Sequence, residues 1–567
     1  MQSSVRGVAD ARAQVLAGLA ASGGGDALAV RTCLRHLAAL GALMRPEPGW
    51  SPGEGHVRVA GPSGLLAECG IAGPAELDGW ASAEAAAQAR CGLMEVHGRQ
   101  LGRPRPLGVE VASVTAGVLA VQGLLASLLA QLRGGGPGAR FETSLLEAGL
   151  FSLTHYFASA TCGDGWRPPA QDGDPGPPFR SADGHWFELE ALDPGSWNRF
   201  WAALGVSGPE VGTSWMGVVF RYVSATSRVH RNLHAATARN TLREIADAAR
   251  ANDVSICRLR SYPEVVEAVG PFERSAPWTI RPGAAGHPAP EPEPPASLDL
   301  PLAGLRVVEI TRRIQGPLAG LVLRMLGADV LRIEPPGGDP IRLMAPLSGD
   351  ASARFLSLNR GKRVEEIDIK DPAGRRAVLE LVAGADVFLQ NWAPGRARAM
   401  GLDHDDLAAA APRLVYGSIS GWEADDAPPG SPIGTDFLVQ AHVGLGDALN
   451  PPGESPFPSL ATLTDVFGGL VAAEGVLGAL VLRERIGRGA RVDSSLHSAA
   501  LELQAHVLQD AAAGRERDRD RGRPRPAPPG AGMTTDLAAL AADPGLADRF
   551  EEVGGCVLPA RPWRFSA

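Results

Sequence analysis

The strongest constraint on this chain is an internal duplication. The segment VASVTAGVLAVQGLLASLLAQLRGGGPGARFETSLLEAGL from Val111 aligns with LTDVFGGLVAAEGVLGALVLRERIGRGARVDSSLHSAAL from Leu463, with one residue of difference at the glycine turn. Gly117 then matches Gly469 and Gly123 matches Gly475; upstream, Gln88 and Gly92 of AAQARCGLM fall on Gln440 and Gly444 of LVQAHVGLG. A repeat of this length means two copies of one structural unit, each burying the same faces. At 567 residues the chain is too long for a single core, and the repeat shows how it divides.

The copies are unequal. The first continues through RSADGHWFELEALDPGSWNRFWAALGV (180–206), a strand-hairpin and helix pattern, and reaches SAPWTIRPG. The second lacks that insert, yet Pro562 and Trp563 near its end answer Pro277 and Trp278. In turn the second has a complete front end, LAGLRVVEITRRIQGPLAGLVLRMLGADVLRIEPPGGDP, of which the first keeps only LRHLAALGALMRPEPG. RVVEI and ADVLRI are short apolar runs on either side of a helical spacing, and the alternation recurs in GRRAVLELVAGADVFLQN and RLVYGSIS. Strands alternating with helices build a parallel sheet with right-handed crossovers and an open site at the strand ends.

Segments rich in Pro, Gly and charge cannot supply a core and mark boundaries. The division expected is a first-copy large-domain remnant (1–160), a small domain of the first copy (161–280), a Pro-rich linker (281–300), a Rossmann-like domain (301–510), a charged linker (511–532) and a C-terminal return segment (533–567).

The net charge of −9 offers no attraction to nucleic acid or anionic membrane, which both need clustered positive charge. The run at 112–132 is broken by Ser, Thr, Gly and Gln, which favours a buried amphipathic helix over a membrane span. Six scattered cysteines without a CxxC pair fit neither a zinc site nor a disulfide framework, and the N-terminal 25 residues lack a secretory apolar stretch. A reducing cytoplasm is the location expected.

PLAGLRVVEITRRIQGP, LGADVLRIEPPGGDP, FLSLNRGKR, DVFLQNWAPGRARAMGL, RLVYGSISGW and TDVFGGLVAAEGVLGAL, in this order, resemble the type III CoA-transferases, also called the CaiB/BaiF family. The resemblance covers about 200 residues of the second copy, and the first copy more weakly follows the family's middle and small-domain regions. It implies a Rossmann-like domain and a small domain, internally duplicated, with the active site where the two meet. Family members form interlocked two-subunit rings, so a fused pair could rebuild one ring as a pseudo-dimer, with a further homodimer left open.

The resemblance marks Asp465 as the nucleophile. At a helix start it would lie near backbone N–H groups that keep it ionised, with Gly468 and Gly469 leaving room for a pantetheine thioester. The implied reaction moves CoA from an acyl-CoA to a carboxylic acid through an aspartyl-CoA thioester, with coenzyme A as substrate and no resident cofactor or metal. Gln315 would sit near the reacting acyl group. Asn391 and Trp392 would help to hold CoA, with Lys362 and Arg363 on its phosphates; Arg398 stands one place before the family's usual arginine position, where Ala399 sits.

Three departures bear on function. A racemase of this superfamily needs a histidine in the stretch that here reads Gly434, Thr435, Asp436, and threonine cannot act as that base. Ser113 occupies the first-copy position of Asp465, so one active site per chain is expected. The family's glycine run over the carboxylate has GDPGPP (173–178) as its nearest candidate. A non-enzymatic acyl-CoA-binding protein remains the alternative. Leu343 and Met344, after the GGDPIR turn where the family shapes its acyl pocket, suggest a larger apolar acid over a small dicarboxylate.

Overall fold

A computed structural model describes the chain except for residues 1–13, 26, 47–53, 75–79, 81, 137, 164–173, 271–275, 285–293, 296, 298, 424–431, 451–455, 516–532 and 567. Most of the two expected linkers and Gly173 of the GDPGPP stretch lie outside the described residues.

In the first half, β1 (Ala20–Gly24), α1 (Leu28–Ala39), β2 (Leu43–Met44), β3 (Glu54–Gly61) and β4 (Gly64–Ala72) precede α2 (Ala83–Cys91), the long helix α3 (Val111–Leu132) and β5 (Ala139–Ser144). The sheet runs β2-β1-β3-β4-β5, with a β3–β4 antiparallel hairpin and β4 parallel to β5. Helices α4 (Leu145–Ser152) and α5 (Thr154–Thr161) follow directly. A small domain then forms on β6 (Phe179–Arg180), β7 (Trp186–Glu190), the short helix α6 (Arg221–Ser224) and β8 (Ser255–Arg258), around a core that includes Trp197, Phe200 and Trp201.

The strand that follows, β9 (Trp278–Pro282), leaves the first half and pairs antiparallel with the second-half strand 490–495, Trp278 opposite Ser494. The second half is the doubly wound sheet read from the sequence: β10 (Arg306–Ile310), α7 (Gln315–Met325), β11 (Asp329–Glu334), α8 (Ala353–Asn359), β12 (Arg363–Glu366), β13 (Val387–Gln390), β14 (Val415–Ser420), α9 (Asp436–His442), the long helix α10 (Leu463–Ile486), β15 (Ala490–Ser495) and α11 (Leu496–Leu503). The sheet order is β9-β15-β14-β13-β10-β11-β12, parallel throughout apart from β9. β13 and β14 are buried at every residue, as strands covered by helices on both faces must be.

The last strand, β16 (Arg564–Ser566), crosses back and pairs antiparallel with β5, Phe565 opposite Phe141. Each half thus closes the other half's sheet. The two tryptophans that answer each other in sequence serve the exchange: Trp278 Nε1 donates to Glu474 of α10, and Trp563 Nε1 to the Leu119 carbonyl of α3. Helices α3 and α10 pack on each other at the centre. Both are long and apolar enough to cross a membrane, but their apolar stretches are wholly buried inside the protein, so they are core helices. Twenty of the 22 residues of α3 lie between 111 and 130 without a break in burial, so the amphipathic pattern expected there is absent: both halves cover it on all sides.

Trp563→Ala removes a buried ring and its bond to α3, and should cost about 3–5 kcal/mol in urea denaturation, a typical value for emptying such a site. An unchanged midpoint would show that the exchanged strand contributes little.

Candidate active site

Asp465 is the third residue of α10, and it does not cap the helix. Asp436, the first residue of α9, does: its Oδ2 accepts from the Asp465 backbone N–H at 2.7 Å and the Thr464 hydroxyl at 2.6 Å, while Gln440 Nε2 donates to its Oδ1. The carboxylate of Asp465 accepts no hydrogen bond among the described residues. Burial, and after it the neighbouring charge of Asp436, push Asp465 up to about 8, partly offset by Arg313 and Arg354. The expectation that the helix terminus keeps this group ionised is therefore corrected: the N–H groups are spent on Asp436, and cations do the opposing work.

The same cap survives in the first half. Glu84, four residues before Gln88 as Asp436 is before Gln440, accepts from Ala112 N, Ser113 N and the Ser113 hydroxyl at 3.0, 2.7 and 2.7 Å. The first copy therefore keeps the capping carboxylate and carries serine at the position of Asp465.

Gln315 opens α7 against α10. A β-carbon on Gly468 would lie 2.9 Å from Gln315 Nε2, and one on Gly469 would lie 2.6 Å from the Gln315 carbonyl. These glycines let two helices touch, so the space at them is filled by α7. Gln315 Nε2 is buried without a hydrogen-bond partner, a donor left over beside the Asp465 helix.

Elements of the first half complete the surroundings. His155 Nε2 meets the Thr462 hydroxyl at 3.0 Å, and the Tyr156 hydroxyl accepts from Thr462 N at 3.0 Å, so α5 holds the residue that precedes α10. From the small domain, Tyr222 donates to Glu190 Oε2 at 2.6 Å and its ring lies 4.9 Å from that of Phe437, the neighbour of Asp436. Glu190 is close enough to add to the charge that Asp465 feels. The carboxylate therefore lies between the large domain of the second copy and the small domain of the first.

The remaining residues singled out in the sequence lie differently. Asn391 receives the Arg312 N–H at 2.9 Å and donates to the Arg312 carbonyl at 2.8 Å, clamping the loop in which Arg313 has φ +68°. Trp392 is half-buried, its ring 6.4 Å from that of Phe388. Lys362 is a correction: its side chain is fully buried, and its Nζ donates to Glu309 at 2.8 Å, the Pro317 carbonyl at 2.7 Å and Asn359 at 3.1 Å. Those bonds use all three donors, so in this structure Lys362 has none left for a phosphate. Arg363 is exposed and pairs with Asp329, and Arg398, 77% exposed, lies 3.4 Å from Asp403. The described part of GDPGPP is tied to the small domain by Gly176 N–H to the Ser227 carbonyl at 2.9 Å. Asp436, Arg313, Arg354, Glu190, Tyr222 and His155 were assigned no role from sequence. Only Asp436 had a signal there, in its repeat partner Glu84.

The fold is α/β in two interlocked copies, with Asp465 buried between a large and a small domain. The chain belongs to CoA-transferase family III, whose family model matches residues 70–299 and again 302–536. It is 34% identical over 218 residues to succinyl-CoA:glutarate CoA-transferase of Homo sapiens (38% of this chain, 50% of that protein) and 37% over 216 residues to acetyl-CoA:oxalate CoA-transferase of Acetobacter aceti (38% and 55%). Among solved structures, a CaiB/BaiF family protein from Brucella suis is 35% identical over 38% of this chain and 59% of that one, with a TM-score of 0.36. The chain spans about half the length of the curated relatives it matches.

Proposed function

We propose that this chain transfers CoA from an acyl-CoA donor to a carboxylic acid, with Asp465 as nucleophile. The observation that carries the reading is a buried carboxylate that accepts no hydrogen bond among the described residues, beside the unpartnered amide of Gln315 and within the fields of Arg313 and Arg354. A carboxylate stripped of solvent and hydrogen bonds is a strong nucleophile once ionised.

The chemistry balances without water or a redox step. An Asp465 oxygen attacks the thioester carbonyl; the C–S bond breaks and CoA leaves as thiolate, giving a mixed anhydride. The thiolate attacks the aspartyl carbonyl and expels the donor carboxylate, leaving an aspartyl-CoA thioester. The acceptor carboxylate attacks that thioester and CoA thiolate leaves again. It then attacks the acceptor acyl carbon, giving the new thioester and restoring Asp465. Gln315 Nε2, a buried donor without a partner, serves the oxygen that gains charge at each addition. Asn391 positions Arg313 through the loop it clamps. Arg363 and Arg398 are exposed cations suited to CoA phosphates, and Trp392 suits the adenine or pantetheine face.

Because each half supplies the other's closing strand, one chain completes the surroundings of Asp465 without a second copy. Six buried free thiols fit a reducing cytoplasm. The test is intact-protein mass after incubation with acyl-CoA donors and hydroxylamine, which converts an aspartyl thioester or anhydride to a stable hydroxamate. A gain localised to Asp465 is expected. Binding of CoA esters with no adduct from any donor would instead favour a binding protein without turnover.

A further inference from the structure

Four buried guanidinium groups among the described residues are matched to carboxylates, and another, Arg133, donates to the Pro301 and Ala303 carbonyls. Arg221 holds Glu188 at 2.8 Å, Arg332 holds Glu309 at 2.7 Å, Arg360 holds Glu551 at 2.9 Å and Arg483 holds Asp386 at 2.8 Å. Arg354 breaks the pattern. It is 5% exposed on α8, its Nε has no hydrogen-bond partner, and its Nη1 meets only the Met344 sulfur, at 3.8 Å. No carboxylate pairs with it among the described residues.

Burying an unpaired cation costs several kcal/mol, so a site that keeps one is complete only when an anion arrives. The position of Arg354 says which anion. Its strongest charge interaction is with Asp465, its guanidinium lies 5.8 Å from the centre of the Tyr222 ring, and its charge also reaches His155 of α5, which holds the residue before α10. It therefore lies near Asp465, with the Met344 thioether and the Tyr222 ring beside it. Leu343, the other residue expected to shape an apolar pocket, is 79% exposed, and Met344 spends its sulfur on Arg354.

We propose that Arg354 is a specificity-determining residue that binds the distal carboxylate of a dicarboxylic acid while the carboxyl to be activated faces Asp465, an inference that rests on the transferase reading above. Met344 and Tyr222 flank the intervening methylenes. An acid without a second charge leaves the guanidinium unpaired and is selected against.

The test compares each dicarboxylic acid with its monoamide, the same length without the distal charge: glutarate against glutaramate and succinate against succinamate. Wild type should favour the diacid by about 100-fold in kcat/KM, in the range of a buried charge pair. Arg354→Gln should lower the diacid-to-monoamide ratio of kcat/KM by about that factor, beyond any loss common to both acids from removing a cation that acts on Asp465. Arg354→Lys should recover part of the preference. Calorimetric titration with glutarate reads the same contact without turnover, with binding weakened in Arg354→Gln. An unchanged diacid preference, or an equal loss for diacid and monoamide, overturns the proposal. Absence of any wild-type adduct at Asp465 overturns the transferase reading instead, and the calorimetric comparison still decides the role of Arg354.

Discussion

Asp465→Asn should lower CoA transfer by about 10⁴-fold or more, abolish the hydroxylamine adduct, and at the same time make the protein more stable than wild type at neutral and alkaline pH. Both effects have one cause. The amide cannot attack a thioester, and it also does not have to ionise in a buried place. In the unfolded chain an aspartate titrates near 3.9, whereas in the fold burial and Asp436 push Asp465 up to about 8. Between those values the folded state holds a proton that the unfolded state has released, so wild-type stability falls as pH rises through this window. The advantage of the asparagine variant should grow over the same window, level off above about pH 8, and reach on the order of 2 kcal/mol or more. Denaturation midpoints at pH 5 and pH 8.5 measure it. Equal midpoints for variant and wild type at pH 8.5 would show that the carboxylate is not under this burden. Turnover should run the other way, rising with pH as Asp465 becomes ionised.

The second large effect is expected at His36, which ties three elements together. Its Nδ1 meets Glu474 of α10 at 2.9 Å and its Nε2 meets Glu502 of α11 at 3.1 Å; all three side chains are fully buried. Arg35 holds the far side of Glu502 at 2.9 Å, and Trp278 of β9 donates to Glu474 at 3.1 Å. First-half helix α1 is thereby joined to the second half at the point where the exchanged strand enters. His36→Ala strands two buried carboxylates and should cost about 3–5 kcal/mol, shifting a single unfolding transition shared by both halves. Two separated transitions in wild type would show that the halves are not coupled.

The pH signature follows from the same contacts. Burial alone would lower His36, but Glu474 and Glu502 raise it to about 9, above its unfolded value near 6.5. That contribution is complete below about pH 6.5 and is lost as pH rises through about 9. Burial alone would raise Glu502, but His36 and Arg35 lower it to about 2, so its share is complete above the usual carboxylate range and is lost only as pH falls through about 2. His36→Ala should therefore differ from wild type most near pH 6 and least above pH 9.

Much of the site was legible because parts of it are local. Asp465 stands at a fixed place in a repeated apolar helix, and Gln315 directly follows the loop after an apolar strand, so both can be found without knowing what surrounds them. Lys362 shows the limit. In NRGKR it reads as one basic residue among several, and only folding shows that Glu309, 53 positions away, takes its charge inside. Arg363, its neighbour, does stay at the surface. Asp436 lies between these cases: its role is readable from Glu84 in the other copy, since a cap that serves helix geometry persists where Ser113 stands at the position of Asp465.

The sequence by itself determined that the chain is a duplicated α/β protein and which strands and helices alternate in its second half. These follow from periodicity and repetition, which are properties of neighbouring residues. Tertiary structure alone decided that β9 and β16 exchange between the halves, that Asp436 and not Asp465 caps α10, and that Arg354 is buried near Asp465 with no carboxylate within salt-bridge distance among the described residues. The reason is physical: strand partners, desolvation and the field at a carboxylate are set by groups that meet only when segments hundreds of residues apart pack together, as Trp278 and Ser494 do.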